Sequence, residues 1–302
     1  MDPETIFASI VTAAVANVSF ACAVGACLAM LMLADAPPLT RSRMRRFAAG
    51  CVVALIVADT VNLLLEAALM SGLAPGNAFG VIVPVLVQSH FGAAWSTGFV
   101  ALIVWMGLLV VSREFGPPAR TGVALCAAAV FAFSKAASSH AADAGDFSLS
   151  EWIHWLHLCV TAAWAGLVIA SGLSALPMLL ADSTGEVVAR FAGRLSRAAL
   201  VAVSVVLVSG IYNADRGLGG SLVPLARSDW GHILAVKLTL VSVAVVLGGI
   251  NRLVYLRRLR VDTAARSFLA LLRVEAVTMV GVLSAAAVLA HTLPGAHLGA
   301  GP

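Results

Sequence analysis

Charged residues are scarce in this sequence of 302 residues. Asp, Glu, Lys and Arg together make up 11% of the chain, whereas hydrophobic residues make up 61%. A soluble domain usually carries about 25% charged residues, so the composition excludes a soluble protein and predicts an integral membrane protein. The net charge of +4 does not indicate nucleic-acid binding either, because the basic residues stand in short clusters between apolar segments.

Several common motifs are also absent. The five cysteines include no CxxC pair, so neither a disulfide framework nor a zinc ribbon is indicated, and we interpret them as small buried hydrophobes. The chain has no Walker A sequence, and no enzymatic activity is expected. Its start is not typical of a signal peptide, since Asp2 and Glu4 stand where a positive region is usual.

The chain has instead a series of eight apolar segments. Each exceeds the ~20 residues that a helix needs to cross about 30 Å of hydrocarbon, and none alternates like the strand of a membrane barrel. We therefore predict an all-α, polytopic membrane helix bundle with four spans in each half, residues 1–139 and 140–302. The predicted spans cover roughly 5–33, 47–70, 84–111, 119–139, 152–180, 191–213, 230–256 and 267–292.

Arginines lie almost entirely on one side of this predicted bundle. Fourteen of them fall in the first, third, fifth and seventh connections or their flanks, whereas only Arg216 and Arg227 fall on the other side. The positive-inside rule makes the arginine-rich side cytoplasmic, so both termini are predicted to be extracytoplasmic. The fourteen are Arg41, Arg43, Arg45, Arg46, Arg113, Arg120, Arg190, Arg194, Arg197, Arg252, Arg257, Arg258, Arg260 and Arg266.

All seven histidines fall on the opposite, extracytoplasmic side. One histidine at a membrane interface is explained by its amphipathic ring, but seven on one side favour a function. Imidazole suits copper, zinc, iron and nickel, so metal binding is the leading interpretation, and we predict that the bundle gathers these side chains into one cluster. The candidate ligands are His157, His154, His140, His90, His232 and His291, while His297 follows in a Gly-rich tail.

The stretch EWIHWLHL opens the fifth span and carries two of these histidines. His154 and His157 are three residues apart and share one helix face, which continues through Thr161 to Trp164. An i, i+3 pair can supply two ligands to one metal ion. Cys159 points away from this face and is not counted as a ligand.

Polar residues inside the spans indicate a possible transport pathway. In the second span, Asp59, Asn62, Glu66 and Met70 are spaced by three or four residues and form one stripe that covers about 16 Å of depth. Such a stripe either lines a path for an ion or makes hydrogen bonds and ion pairs between helices, and both alternatives stand. Trp164 is counted with this pathway.

Charged residues in other spans need partners within the bilayer. Lys135 and Lys237 lie at depths similar to that of Glu66, so we predict that one of them pairs with Glu66, and both are counted with the pathway. Near the cytoplasmic side, Arg273 and Glu275 are interpreted as interfacial anchors.

The second half of the chain contains a series of motifs in a fixed order. The helix ending in SSHAAD is followed by IHWLHLCVTAAWAGL and then by RFAGRLSRAALVAVSVVLVSGIYNA, DWGHILAVKLTLVSVAVVLGGINR and LLRVEAVTMVGVLSAAAVLAHTLP. This series resembles the CopD family, also called copper resistance protein D or PcoD-like. The resemblance covers about half of the chain, and the first 134 residues share only their four apolar spans with the family.

This resemblance implies a copper-handling protein of the bacterial inner membrane, often found beside a periplasmic copper carrier of the CopC type. His232 stands where the family pattern has Arg, and His154 is an additional histidine beside the recurring one. The residues that match recurring family positions are His140, His157, Trp164, Gly166, Asn213, Lys237, Asn251 and Glu275.

Three functions are compatible with the sequence. The first is copper import, in which the histidines capture Cu(II), or Cu(I) held by imidazoles, because Met70 is the one methionine besides Met1 near that side. The second is electron transfer by a haem with histidine ligands. The third is copper delivery to an oxidase without transport.

Overall fold

A computed structural model describes residues 3–34, 36–110, 117–259 and 262–293, and this part of the chain is helical without a strand. Eight of its helical segments are long and apolar enough to cross a membrane, so the predicted all-α bundle with eight spans is confirmed. The α-helices are α1 (Pro3–Met32), α2 (Pro38–Ser71), α3 (Ile82–Gln88), α4 (His90–Val110), α5 (Pro117–Ala137), α6 (Leu149–Ala170), α7 (Leu176–Asp182), α8 (Gly185–Leu218), α9 (Val223–Arg227), α10 (Asp229–Ile250) and α11 (Asp262–Ala290).

The third predicted span, from residue 84 to residue 111, is wrong at its start. The helix is interrupted at Ser89, whose extended backbone separates α3 from α4. The Ser89 hydroxyl accepts a hydrogen bond from the N–H of Gly92 at 2.9 Å and so caps the new helix. A side chain at Gly92 would overlap the backbone of Val85 and Leu86, and α3 can therefore fold closely against α4.

Several arginines that were assigned to connections lie on helices instead. Helix α2 begins at Pro38, a residue favoured in the first turn of a helix, so its four arginines from Arg41 to Arg46 occupy the first turns. Helix α8 likewise begins at Gly185 and includes Arg190. Both helices therefore begin earlier in the chain than the predicted membrane spans do. Arg113 and Arg260 lie outside the described residues.

Two spans contain a single turn of π-helix. Ser171–Ala175 joins α6 to α7 within one membrane span, and Asn251–Tyr255 follows α10. Such turns widen the helix locally and are frequent at functional sites. The sequence patterns did not predict them.

Helix α1 lies at the centre of the bundle, where it packs on α2, α5, α6 and α11. Its inner faces consist of small residues, and Ala21, Ala23 and Ala26 are fully buried. At the crossing with α6, a methyl group on Gly25 would overlap the backbone of Gly166. Small residues let the two helix backbones meet directly, which is how membrane helices gain packing contacts.

The two ends of the bundle differ in chemistry. The histidine end is defined here as the end at which α2 terminates at Ser71, α4 begins at His90 and α6 begins at Leu149. The arginine end is the opposite one, at which α1 terminates at Met32 and α8 begins at Gly185. Arginines at that end also bind the bundle together, since the Arg194 guanidinium donates to the carbonyl oxygen of Met32 at 2.8 Å.

Candidate metal-binding site

His154 and His157 face α8 from the first turns of α6. The helix starts behind Ser148, whose hydroxyl accepts from the N–H of Glu151 at 3.3 Å. Nδ1 of His157 lies 2.9 Å from the Ser209 hydroxyl, and Nδ1 of His154 lies 3.4 Å from Nδ2 of Asn213. Both imidazoles therefore share the face that their spacing predicted.

The hydrogen bond of His157 defines which nitrogen can bind a metal. The Ser209 hydroxyl also lies 2.7 Å from the carbonyl oxygen of Val205, which can only accept a hydrogen bond. In the arrangement in which Ser209 donates to Val205, it accepts from Nδ1 of His157, and the lone pair of His157 resides on Nε2. Gly210 makes room for this ring, since a methyl group there would come within 3.2 Å of Cε1 of His157.

His154 has the opposite arrangement. The amide nitrogen of Asn213 has only protons to offer, so Nδ1 of His154 accepts the hydrogen bond and Nε2 carries the proton. A neutral His154 in this state presents no lone pair on Nε2. The two neighbouring histidines therefore differ in tautomer, and His157 is the better placed metal ligand.

Lys237 brings a positive charge close to this pair. It projects from α10 and is within electrostatic range of both His154 and His157. A positive charge opposes the binding of a metal cation by the same imidazoles. The pair alone is therefore an unfavourable place for copper to bind first.

A second group of polar side chains lines a cleft at the histidine end. The cleft has a volume of about 180 Å³ and lies between the start of α1, the end of α2 and the end of α11, with Ile6, Leu69, His140 and His291 among its lining residues. The Glu66 carboxylate lies within electrostatic range of His291. This cleft therefore combines two imidazoles with a nearby negative charge.

Both imidazoles of the cleft have a hydrogen-bonded Nδ1. His291 donates from Nδ1 to the carbonyl oxygen of Ala287 at 2.8 Å, and His140 donates from Nδ1 to the Asp143 carboxylate at 3.2 Å. Metal-binding histidines usually donate their second ring N–H to a carbonyl or a carboxylate in this way, which orients the ring and raises the basicity of the other nitrogen. His140 and His291 thus share the tautomer of His157.

The remaining candidates are exposed. His90 at the start of α4 pairs through Nε2 with the Asp146 carboxylate at 3.2 Å, and His232 lies in the first turn of α10. Within the described ranges, no group of three or more His, Cys, Asp or Glu side chains is placed to hold a metal ion. The predicted single cluster is therefore not confirmed, and His297 lies outside the described residues.

The polar stripe of α2 is buried at its deeper end and exposed near the end of the helix. Asp59 is 1% exposed, Asn62 and Glu66 are partly exposed, and Met70 is 55% exposed near the end of the helix. Nζ of Lys135 lies 2.9 Å from Oδ1 of Asp59. The predicted ion pair of Glu66 with a lysine is wrong, because the flexible Lys135 stem reaches the deeper carboxylate.

Glu66 remains close to charged groups without a direct ion pair in the described part of the chain. His291 and Lys135 are both within its electrostatic range. Trp164, the aromatic residue counted with the pathway, is 3% exposed and belongs to the hydrophobic core. It supports α6 rather than lining either group of histidines.

The sequence reasoning missed the side chains that orient the histidines. Asp143 follows His140 by three residues, and this spacing could have identified it as a partner on the same short helical turn. Ser209 and Asn213 could not be assigned to His157 and His154 in this way, because they are more than 50 residues away in the chain.

Comparison with known families covers both halves of the chain. The family model described as copper resistance protein D matches residues 189–289, and the model described as copper resistance protein D-like, N-terminal domain, matches residues 3–148. No curated protein and no solved structure gives a significant match. The two family matches cover α1 to α5 and most of α8 to α11 but leave out α6 and α7, and the chain belongs to the CopD family of copper resistance membrane proteins.

Proposed function

We propose that the protein imports copper across the bacterial inner membrane, with capture at the histidine end and release at the arginine end. One observation carries this proposal: His140, His157 and His291 each engage Nδ1 in a hydrogen bond and so place the lone pair on Nε2. Imidazole nitrogen held in this way is a suitable ligand for either oxidation state of copper.

The electrostatics favour the cleft as the place of capture. Glu66 and Asp143 supply negative charge beside His291 and His140, whereas Lys237 supplies positive charge beside His157. Opposite charges attract strongly where water is scarce, which applies to the partly buried Glu66 rather than to the exposed Asp143. Copper therefore binds first between His140 and His291, and His157 is a later ligand along the route.

The side of the membrane follows from the arginines. The positive-inside rule directs the arginine end toward the cytoplasm, which leaves the cleft open to the periplasm. Two carboxylates, Asp143 and Asp146, lie exposed beside His140 and His90 at this end. A separate periplasmic carrier of the CopC type is the proposed source of copper there, as the family membership suggests.

Copper uptake into proteoliposomes tests the function directly. Purified protein is reconstituted, copper is added outside, and the copper content of the washed lumen is measured with empty liposomes as the control. We expect uptake that falls strongly in the double variant His140→Ala/His291→Ala. Protein that binds copper while the lumen stays empty would support delivery without transport, and a strong Soret band in the purified protein would support the haem alternative.

A further inference from the structure

Glu275 is a buried carboxyl group that the proposed copper route does not use. It lies in α11 and is 4% exposed, so its interpretation as an interfacial anchor is wrong. In the described part of the chain it has no ion pair with any basic residue. A buried carboxylate without a cationic partner is strongly unfavourable, and this position therefore requires an explanation.

The Glu275 carboxyl group points at α10. A methyl group on Gly248 would lie 3.1 Å from Oε1 and 3.7 Å from Oε2 of Glu275, so the carboxyl group rests against the bare backbone of Gly248. Any larger residue at position 248 would push this group away. The contact fixes the carboxyl group between α10 and α11, in the half of the bilayer near the arginine end.

Asn251 follows Gly248 by three residues and lies on the same face of α10. It is 4% exposed and begins the π-helical turn that contacts α11. Neither Oδ1 nor Nδ2 has a hydrogen-bond partner among the described residues. Because an unsatisfied buried polar group costs about 1–3 kcal/mol, an amide with both atoms unpaired indicates a ligand or a partner in another state.

We propose that Glu275 and Asn251 together form a proton-binding site. A protonated carboxyl group has one O–H donor and a carbonyl acceptor, while the amide has an oxygen acceptor and an N–H donor, so the two groups are complementary. With the proton bound, the O–H of Glu275 donates to Oδ1 of Asn251. When the O–H bond breaks, the proton passes to water that enters from the arginine end, and the carboxylate keeps the electron pair.

The two arginines nearest to this site in the sequence, Arg273 and Arg252, donate hydrogen bonds to groups other than Glu275. The Arg273 guanidinium, two residues away on α11, donates to the carbonyl oxygen of Gly172 at 3.4 Å, and the Arg252 guanidinium donates to the Ser196 hydroxyl at 2.7 Å. The remaining titratable or charged side chains on the elements that pack against α11, together with its own Arg266, are Glu4, Cys22, Cys27, Glu151, His154, His157, Cys159, Asp229, His232, Lys237, Tyr255, Arg257 and Arg258.

The proton-binding site is separate from the candidate copper ligands, but its residues on α10 lie on the same helix face as Lys237, which is close to His154 and His157. Lys237, Val241, Ala244, Gly248 and Asn251 are spaced by three or four residues, so one stripe joins the two polar groups over about 21 Å. If the proposed copper import is correct, exchange of this proton would supply a driving force for it. The proton-binding site itself does not depend on that function.

Infrared difference spectroscopy tests the site without copper. Purified protein in nanodiscs is brought from acidic to alkaline pH, and the carbonyl stretch of protonated carboxyl groups is recorded. We expect a band that disappears on deprotonation in the unchanged protein and is missing in Glu275→Gln. Asn251→Leu should keep the band at a shifted frequency, because the hydrogen bond to Oδ1 is lost. The matched control is Glu186→Gln, which removes an exposed carboxylate at the arginine end and should leave the band unchanged.

Three results would count against the proposal. Spectra of the unchanged protein and of Glu275→Gln that superimpose at every pH would show that Glu275 holds no exchangeable proton. A band that responds to the replacement of potassium by sodium rather than to pH would assign the site to a metal cation instead. If Glu275→Gln does not fold, the band shift in Asn251→Leu decides, and its absence counts against the site. If copper uptake fails while the infrared band of Glu275 is present, copper import is rejected but the proton-binding site is not.

Discussion

The ammonium group of Lys135 lies 2.9 Å from the carboxylate of Asp59, and this ion pair joins α5 to α2 deep in the bundle. The Asp59 side chain is 2% exposed and that of Lys135 is 32% exposed. Trp95 of α4 adds a third element, since its indole N–H donates to the backbone carbonyl of Asp59 at 3.1 Å. Three helices of the N-terminal half are thereby held in register at one level.

Removal of either charge should destabilise the N-terminal half. Asp59→Asn leaves a partly buried ammonium without its partner, and Lys135→Met leaves a buried carboxylate, so each should lower the free energy of unfolding by up to about 3 kcal/mol, with the larger loss in Lys135→Met. The double variant should recover much of this loss, because no unpaired charge remains. Thermal unfolding in detergent measures the effect.

Glu66→Gln is the matched control for this pair. Glu66 lies on the same stripe of α2 but has no direct ion pair in the described residues, so its neutralisation should cost much less than Asp59→Asn. Equal losses for the two substitutions would mean that Lys135 is shared between the two carboxylates rather than bound to Asp59.

The crossing of α1 and α6 depends on two glycines. A methyl group on Gly166 would overlap the carbonyl of Ala21, and one on Gly25 would overlap the backbone of Gly166. Gly166→Ala should therefore lower the free energy of unfolding by about 3 kcal/mol, since backbones rather than flexible side chains would have to move.

Gly107→Ala in α4 is the control for the helix crossing. Nothing in the described chain lies within 4 Å of a methyl group at that position, and alanine favours a helix over glycine by up to about 1 kcal/mol. Unfolding temperatures should therefore rise slightly for Gly107→Ala and fall for Gly166→Ala. A neutral Gly166→Ala would contradict the close contact of the two helices.

The number of spans and the clustering of arginines at one end could be predicted from the sequence, because apolar length and the positive-inside rule need no tertiary contacts. The break at Ser89 could not, since residues 82–88 and 90–110 are both apolar and the break depends on a hydroxyl cap. Pairing of Lys135 with Asp59 rather than Glu66 depends on how far α5 is shifted along α2. That shift cannot be read from a single sequence.

The histidine tautomers were equally hidden from the sequence. His154 and His157 look equivalent on a helical wheel, and only the register between α6 and α8 places Asn213 beside one and Ser209 beside the other. The family relationship of the N-terminal half was also missed by inspection. That half matches a family model over residues 3–148, although its visible pattern is four apolar spans.

His157→Ala should weaken copper binding more than His154→Ala. The Nε2 lone pair of His157 is available to a metal, whereas His154 accepts a hydrogen bond at Nδ1 and carries its proton on Nε2. A metal-to-protein titration measures the difference, with His297→Ala as a third variant that should have the smallest effect. Equal losses for His154 and His157 would mean that both bind the same ion after a tautomer change.

Ser209→Ala and Gly210→Ala test the surroundings of His157. Ser209→Ala removes the acceptor that orients the ring and should reduce the copper affinity about 10-fold. Gly210→Ala brings a methyl group within 3.2 Å of Cε1 of His157 and should displace the ring, which should reduce the copper affinity by a similar factor. Gly249→Ala, where nothing lies within 4 Å, is the control and should bind copper normally. Unchanged affinity in both test variants would exclude His157 from the copper site.

Neutralisation of Glu66 should weaken the first binding of copper at the cleft. The carboxylate lies within electrostatic range of His291, so Glu66→Gln removes an attraction for the cation without removing a ring nitrogen. We expect a loss of roughly 10-fold in affinity, equivalent to about 1.4 kcal/mol. Competition of the purified protein with a chromogenic copper chelator measures this change.

Asp229→Asn provides the comparison for Glu66→Gln. Asp229 is exposed in the first turn of α10 at the same end of the bundle and does not line the cleft, so water and salt screen its charge. The affinity of Asp229→Asn should equal that of the unchanged protein at moderate ionic strength. Parallel losses in both variants would indicate attraction by the net charge of the whole surface. A loss confined to Glu66→Gln and to His291→Ala would place the first copper ion in the cleft, because His291 lines the cleft and Glu66 lies within electrostatic range of His291.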